Sequence, residues 1–174
     1  MKRILFPLFL GILFLTLQTT WLTFLPIRRI RPDIVMILTL YLGLSYPPVS
    51  GGILAFFLGY SLDLFSGNGF GLFTFSRLLL FYGAQFFKDR IYLESSPSQA
   101  LFVFLFALSE GLSLMLLLKA LNPEHLRNLY PLFFNFFLPQ SLITALVSPV
   151  FFHLFRKGSS LLFAHPGIEA GRKG

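Results

Sequence analysis

The sequence is built around long apolar runs that carry almost no charge. Residues 4–25 contain no Asp, Glu, Lys or Arg and end at Pro26-Ile27-Arg28-Arg29. A helix that crosses the roughly 30 Å hydrocarbon core of a bilayer needs about 20 such residues. Charged residues make up 12% of the chain, against about 25% in a typical soluble domain. These runs predict an all-α polytopic membrane protein that forms one helical bundle.

Six transmembrane helices are predicted, of which the second and third are short. The apolar stretch at residues 34–65 is too long for one untilted span at about 1.5 Å per residue. Pro47-Pro48 interrupts it, because proline lacks the backbone donor that a helix interior needs. We therefore expect a helical hairpin, either as two spans or as a re-entrant pair. The predicted helices cover residues 4–25, 34–44, 51–65, 70–87, 100–118 and 132–155.

The net charge of +7 is interpreted as contact with the lipid bilayer. The basic residues flank the apolar runs, and no basic–aromatic motif indicates nucleic acid. Cytoplasmic loops are enriched in Lys and Arg, so the six-span arrangement favours cytoplasmic N- and C-termini, whereas a single span at residues 34–65 would favour an external N-terminus. In the six-span arrangement the cytoplasmic set is Lys2, Arg3, Lys88, Arg90, Arg156, Lys157, Arg172 and Lys173, and the outer set is Arg28, Arg29, Arg31, Lys119 and Arg127.

The chain is predicted to be organised as one domain with a short tail. Residues 1–157 would form the six-helix transmembrane domain. Residues 158–174 are basic and follow the last apolar run. We expect them to form a disordered cytoplasmic tail.

A stripe of small residues follows the third predicted helix. Gly52, Ala55, Gly59 and Asp63 recur at spacings of three and four, so they share one helix face. Small residues let two helices approach closely in lipid. The stripe therefore predicts packing either within the chain or against a partner. Bulkier residues occupy another face that suits lipid: Ile53, Phe57, Tyr60 and Leu64.

Asp63 and Arg77 lie on either side of a predicted turn at residues 66–69. That turn, with Gly71 after it, would place the third and fourth helices antiparallel and in close contact. The two charged residues would then lie at similar depth, and a buried carboxylate in lipid is costly without a partner. We predict an Asp63–Arg77 ion pair. The alternative is that Asp63 lies at the interface and caps the turn.

Glu110 is the second acid within an apolar run. We expect it to be buried and to pair with Arg77, to bond to Asn135 or Gln140, or to line a polar cavity. A proton relay is less favoured, because relays use chains of acids or histidines. The histidines are scattered between a loop, a helix end and the tail.

Motifs for enzymes and cofactors are missing from the sequence. It has no HExxH, no GxSxG and no phosphate-binding loop, and it contains no cysteine. We therefore predict no catalytic, cofactor-binding or metal-binding residue. Pro32 and Asp33 are typical of a helix start, because proline suits the first turn and an acid complements the helix dipole.

The ordered set of motifs resembles the MreD family. Arg31-Pro32-Asp33 is followed by Tyr41-Leu42-Gly43-Leu44, Gly51-Gly52, the run Phe57-Leu58-Gly59-Tyr60-Ser61-Leu62-Asp63, and the alternating Gly67, Gly69 and Gly71. The resemblance implies a protein of the bacterial inner membrane that binds MreC. Through MreC it would join MreB, RodA and a class B penicillin-binding protein. Its role would be that of a non-catalytic scaffold that organises lateral peptidoglycan synthesis and cell shape.

The family fold resembles the six-helix substrate-binding subunit of energy-coupling-factor transporters, which suggests a rival function. The chain would then be a small-molecule-binding membrane subunit of a vitamin-type transporter. Such a subunit needs a cavity with converging polar groups, which Asp63, Arg77, Glu110 and Asn135 would line. A stable complex with MreC would favour the scaffold, and tight vitamin binding without MreC would favour the rival.

Overall fold

The structure, a computed structural model, describes residues 9–16, 32–66, 71–88, 95–121, 131 and 133–163. Every regular element within these ranges is helical. Residues 9–16 are helical and are called α1. The next helices are α2 (Ile34–Ser45), α3 (Pro48–Ser66), α4 (Leu72–Phe87) and α5 (Ser96–Leu121). A π-helical turn at Phe133–Phe137 then leads into α6 (Leu138–Phe163).

Three of the described helices are long and apolar enough to cross a membrane. They cover Pro48–Ser66, Ser96–Leu117 and Phe133–Gly158, and the apolar helices α2 and α4 are shorter. Bulky side chains on the outside of these helices suit lipid, as predicted for α3, where Ile53, Phe57, Tyr60 and Leu64 are exposed. The chain is an all-α, multi-pass membrane protein.

The hairpin of α2 and α3 turns more tightly than the sequence predicted. Only Tyr46 and Pro47 separate the two helices. Pro48 is the first residue of α3, where a missing backbone N–H costs nothing. The predicted short third helix is therefore wrong, since α3 starts at Pro48 and is 19 residues long. The second helix is short, at 12 residues.

Helix α2 lies at the centre of the bundle. It contacts α3, α4, α5 and α6, and most of its residues are buried. The approach to α4 is close at Gly43, where a Cβ atom would lie 2.7 Å from Ala84 Cβ. At the end of α2 the carbonyl oxygen of Tyr46 accepts hydrogen bonds from Gln85 and Lys88. The hairpin turn is thus held against the end of α4.

Helix α6 accommodates a proline and extends further than predicted. Pro149 cannot donate to the carbonyl of Ala145, and Ser148 Oγ donates to that carbonyl instead, at 2.8 Å. The helix continues beyond Lys157 to Phe163, into the segment that the sequence assigned to a tail. A helix needs no apolar surface once it leaves the bilayer, so hydropathy did not mark its end.

Several sequence-based predictions lie outside the described residues. These are the ends of the first predicted helix, the basic residues at 28–31, residues 67–69 of the predicted turn, the loop at 122–130 and the tail from residue 164.

Candidate functional site

Arg77 is the centre of a buried ion network between three helices. It lies on α4, its side chain is 1% exposed, and its guanidinium binds two acids. Nη2 donates to Asp33 Oδ2, and Nη1 donates to Glu110 Oε2 at 3.2 Å. The network joins the start of α2 to the interiors of α4 and α5. Buried charges are costly, and here each carboxylate pairs with the guanidinium and accepts one further hydrogen bond, from Met36 N or from Ser76 Oγ.

Asp33 has two roles at the start of α2. It is the N-cap residue, and its Oδ1 accepts a hydrogen bond from Met36 N at 2.9 Å, while Oδ2 is left for Arg77. Its backbone N–H donates to Thr144 Oγ1 on α6 at 3.1 Å. The sequence predicted only the helix start. The ion pair could not be seen, because nothing in the sequence brings residues 33 and 77 together.

Glu110 fits two of the roles left open by the sequence. It pairs with Arg77, and its Oε1 also accepts a hydrogen bond from Ser76 Oγ at 2.9 Å. It is 7% exposed, and it lines a cavity beside the network.

The predicted Asp63–Arg77 ion pair is wrong. Asp63 is buried, and its carboxylate accepts hydrogen bonds from Phe73 N at 3.0 Å, Thr74 N at 2.9 Å and Thr74 Oγ1 at 2.6 Å. The two backbone donors belong to the first turn of α4, where N–H groups have no partner within the helix. Gly71, the N-cap residue, has no side chain to satisfy them and takes a left-handed φ of 69°. Asp63 therefore caps α4 from the neighbouring helix, which resembles the alternative that the sequence left open.

The small-residue stripe of α3 packs against α4 inside the chain. At Gly59 a Cβ atom would lie 2.5 Å from Thr74 Cα, and at Gly52 it would lie 2.8 Å from the Tyr82 hydroxyl. Ala55 is fully buried. Of the two alternatives for this stripe, the structure shows packing within the chain.

A cavity of about 250 Å³ lies beside the ion network. Asp33, Glu110, Gln140, Ser141 and Thr144 form its polar wall, and Met36, Leu72, Phe73, Ala107, Gly111, Leu114 and Phe137 form the rest. Of the four residues predicted to line a cavity, only Glu110 does so. Asp63 is engaged by α4, Asn135 is exposed, and Arg77 lies outside the lining. Among the described residues there is no group of three or more His, Asp or Glu side chains that could hold a metal.

The family model described as rod shape-determining protein MreD matches residues 1–158. The chain belongs to the MreD family. No curated protein and no solved structure matches it. The family assignment makes it a rod-shape-determining membrane protein, and both the ion network and the cavity lie within the matched residues.

Sequence reasoning missed Ser76, Ser141 and Thr144. Each is a buried hydroxyl on a helix that was predicted to span the membrane. In such helices Ser and Thr commonly bond to their own backbone, so their presence alone gave no signal.

Proposed function

We propose that this MreD-family chain is a non-catalytic scaffold of the cell-elongation complex in the bacterial inner membrane. In this role it binds MreC and through MreC joins MreB, RodA and a class B penicillin-binding protein. The complex that it helps to organise builds lateral peptidoglycan. The match of residues 1–158 to the family carries the proposal.

The internal contacts of the bundle support a scaffold that keeps one shape. The Arg77 network ties α2, α4 and α5 together, and Asp33 also bonds to α6. The Asp63 cap and the Gly59 contact fix α3 on α4. Interiors joined by close packing and by hydrogen-bonded networks resist continuous deformation. A partner helix would therefore meet a surface that is already formed.

A topology of six spans with both termini in the cytoplasm belongs to the same proposal. Helix α2 is only about 18 Å long at about 1.5 Å per residue, and its first turn belongs to the buried ion network. Its C-terminal end would thus lie at a membrane surface. That surface would carry Lys88, Arg156 and Lys157, which fits the enrichment of basic residues on the cytoplasmic side.

The size of the cavity disfavours the rival, a vitamin-type transport subunit. Pockets for drug-sized ligands have volumes of about 300–1,000 Å³. The cavity beside Glu110 is about 250 Å³, which is small for a vitamin. A cavity of this size fits a smaller group and does not conflict with a scaffold.

Co-purification with MreC tests the proposed function. The tagged chain would be expressed with MreC from the same bacterium, extracted in mild detergent and purified through the tag. We expect MreC to be retained in a fixed ratio and to be absent when an unrelated polytopic protein carries the tag. A folded, monodisperse chain that never retains MreC would overturn the proposal.

A further inference from the structure

The cavity beside the ion network presents hydrogen-bond acceptors almost exclusively. Ser141 Oγ donates its proton to Leu138 O at 2.8 Å, and Thr144 Oγ1 donates to Gln140 O at 2.7 Å. A hydroxyl has one donor and two acceptor positions. Because both hydroxyl protons are already donated, Ser141 and Thr144 can only accept further hydrogen bonds. One of the acceptor positions of Thr144 is occupied by the N–H of Asp33. The amide of Gln140 is the one side-chain donor in the lining.

Acidic and basic groups at the cavity are also unequal in number. Asp33 and Glu110 both line it, and the guanidinium of Arg77, which is not part of the lining, pairs with both acids. One guanidinium therefore faces two carboxyl groups in a low-dielectric surrounding, where an unpaired charge has a high free energy. A positive group in the cavity would offset this imbalance, whereas an anion would increase it.

The remaining wall selects for an organic cation over a bare ion. Phe73 and Phe137 contribute aromatic rings, which attract cations through their faces. Met36, Leu72 and Leu114 supply apolar surface. A volume of about 250 Å³ greatly exceeds the roughly 30 Å³ that a water molecule occupies in the liquid. A metal ion would leave most of this space empty, while an ammonium group with a short hydrocarbon chain would fill it.

We propose that this cavity binds a small organic ammonium ion, with its charged group against Asp33, Glu110 and Ser141 and its hydrocarbon part against the aromatic wall. The proposal concerns ligand binding by the chain itself. It does not depend on the scaffold role, and MreC is not needed to test it.

Titration of the purified full chain with butylammonium, with butan-1-ol as the neutral control, tests the proposal. The chain would be held in phosphatidylcholine nanodiscs in phosphate buffer, because amine buffers would compete. Calorimetry is expected to show saturable binding of butylammonium and none of butan-1-ol. No saturable binding, or equal binding of the alcohol, would overturn the proposal.

Two serine variants locate the binding in the cavity. Ser141→Ala removes an acceptor from the lining and is expected to weaken butylammonium binding about tenfold, as for a lost hydrogen bond to a charged group. Ser109→Ala is the matched control, because Ser109 Oγ also donates to the carbonyl three residues earlier, at 2.8 Å, but lies outside this cavity. It should stay within about twofold of the unaltered chain, as expected for a surface position. Equal losses in the two variants would contradict the assignment.

A second set of nanodiscs distinguishes a lipid headgroup from a free amine as the natural source of the ammonium group. Weaker apparent butylammonium binding in discs that contain phosphatidylethanolamine would support the cation site and assign a lipid headgroup as its occupant. Unchanged binding would support the cation site and assign a free amine.

Discussion

Among the single residues that the structure describes, Arg77 has the largest side chain that is fully buried. It is 1% exposed and pairs with two acids from different helices. Removal of one partner from a buried ion pair leaves an uncompensated charge and typically costs about 3–5 kcal/mol. Arg77→Met is therefore expected to lower the free energy of unfolding by about 3–5 kcal/mol, measured by denaturant titration in detergent. Lys119→Met, at an exposed position, should change it by less than about 0.5 kcal/mol.

A second variant distinguishes the effect of the lost charge of Arg77 on the free energy of unfolding from the effect of its altered side-chain shape. A triple variant that combines Arg77→Met with Asp33→Asn and Glu110→Gln removes all three charges. It is expected to unfold at a higher denaturant concentration than Arg77→Met alone, since replacement of a whole buried ionic group is often close to neutral. A triple variant less stable than the single one would show that the shape of the arginine matters more than its charge.

The cap formed by Asp63 is a second residue-scale feature. Its carboxylate accepts hydrogen bonds from two backbone N–H groups at the start of α4 and from the Thr74 hydroxyl. Asp63→Asn directs an amide donor at one of these donors, and loss of a buried hydrogen bond costs about 1–3 kcal/mol. We expect a loss of that size in the same titration. Ser61→Ala, in which an exposed hydroxyl is removed from the same helix, should have almost no effect.

At the scale of residues, the sequence identified which groups are buried better than it identified their partners. Arg77 and Glu110 were found because charges within apolar runs are rare. The Asp63–Arg77 pairing failed because the turn between α3 and α4 fixes depth but not the direction of the side chains. Asp63 meets the free N–H groups of α4 first, while Arg77 points towards α2 and α5.

At the scale of helices, the contact between α3 and α4 depends on Gly59. A Cβ atom there would lie 2.5 Å from the backbone of Thr74, which cannot yield as a flexible side chain can. Gly59→Ala is expected to cost about 1–3 kcal/mol through overpacking, and Gly59→Leu should prevent accumulation of the folded chain. Membrane yield and unfolding in detergent are the measurements.

The lipid-facing side of the same helix supplies the control for Gly59. Tyr60 is 49% exposed, so Tyr60→Leu should leave the folded yield unchanged. Normal stability of Gly59→Leu would contradict the packing shown by the structure.

Helix boundaries show the limits of hydropathy in this chain. Pro47-Pro48 predicts a gap between two helices, yet Pro48 belongs to α3, because proline is allowed in the first turn. The length of α6 was also underestimated, since its last turns pass Arg156 and Lys157. Apolar runs indicate which residues contact lipid. The ends of a helix are set by its backbone hydrogen bonds, which hydropathy does not report.

For the whole molecule, the position of the α2–α3 turn beside Lys88 predicts that the start of α3 and the start of α5 face the same side of the membrane. The natural sequence has no cysteine, so single cysteines can be added directly. Val49→Cys and Ser96→Cys should react with a membrane-impermeant thiol reagent only after cells are opened, and Lys119→Cys should react in intact cells. Labelling of Val49→Cys and Ser96→Cys from opposite sides would contradict the arrangement.

The architecture of the whole molecule was predictable from the sequence only in outline. Apolar runs and proline positions indicated an all-helical membrane bundle with a short second helix. The central position of α2 and the cavity beside Glu110 were not accessible, because they depend on how helices distant in sequence pack together. Asp33 illustrates the difference, since its helix-start role is local and its ion pair is not.

The role in rod shape is tested by depletion of the chain in the bacterium that produces it. Cell length and width would be measured by microscopy during depletion, with plasmid copies of the unaltered chain and of Arg77→Met. We predict that depleted cells become round, that the unaltered copy restores rods and that Arg77→Met does not. Cells that stay rod-shaped after the chain has disappeared from the membrane would contradict the account.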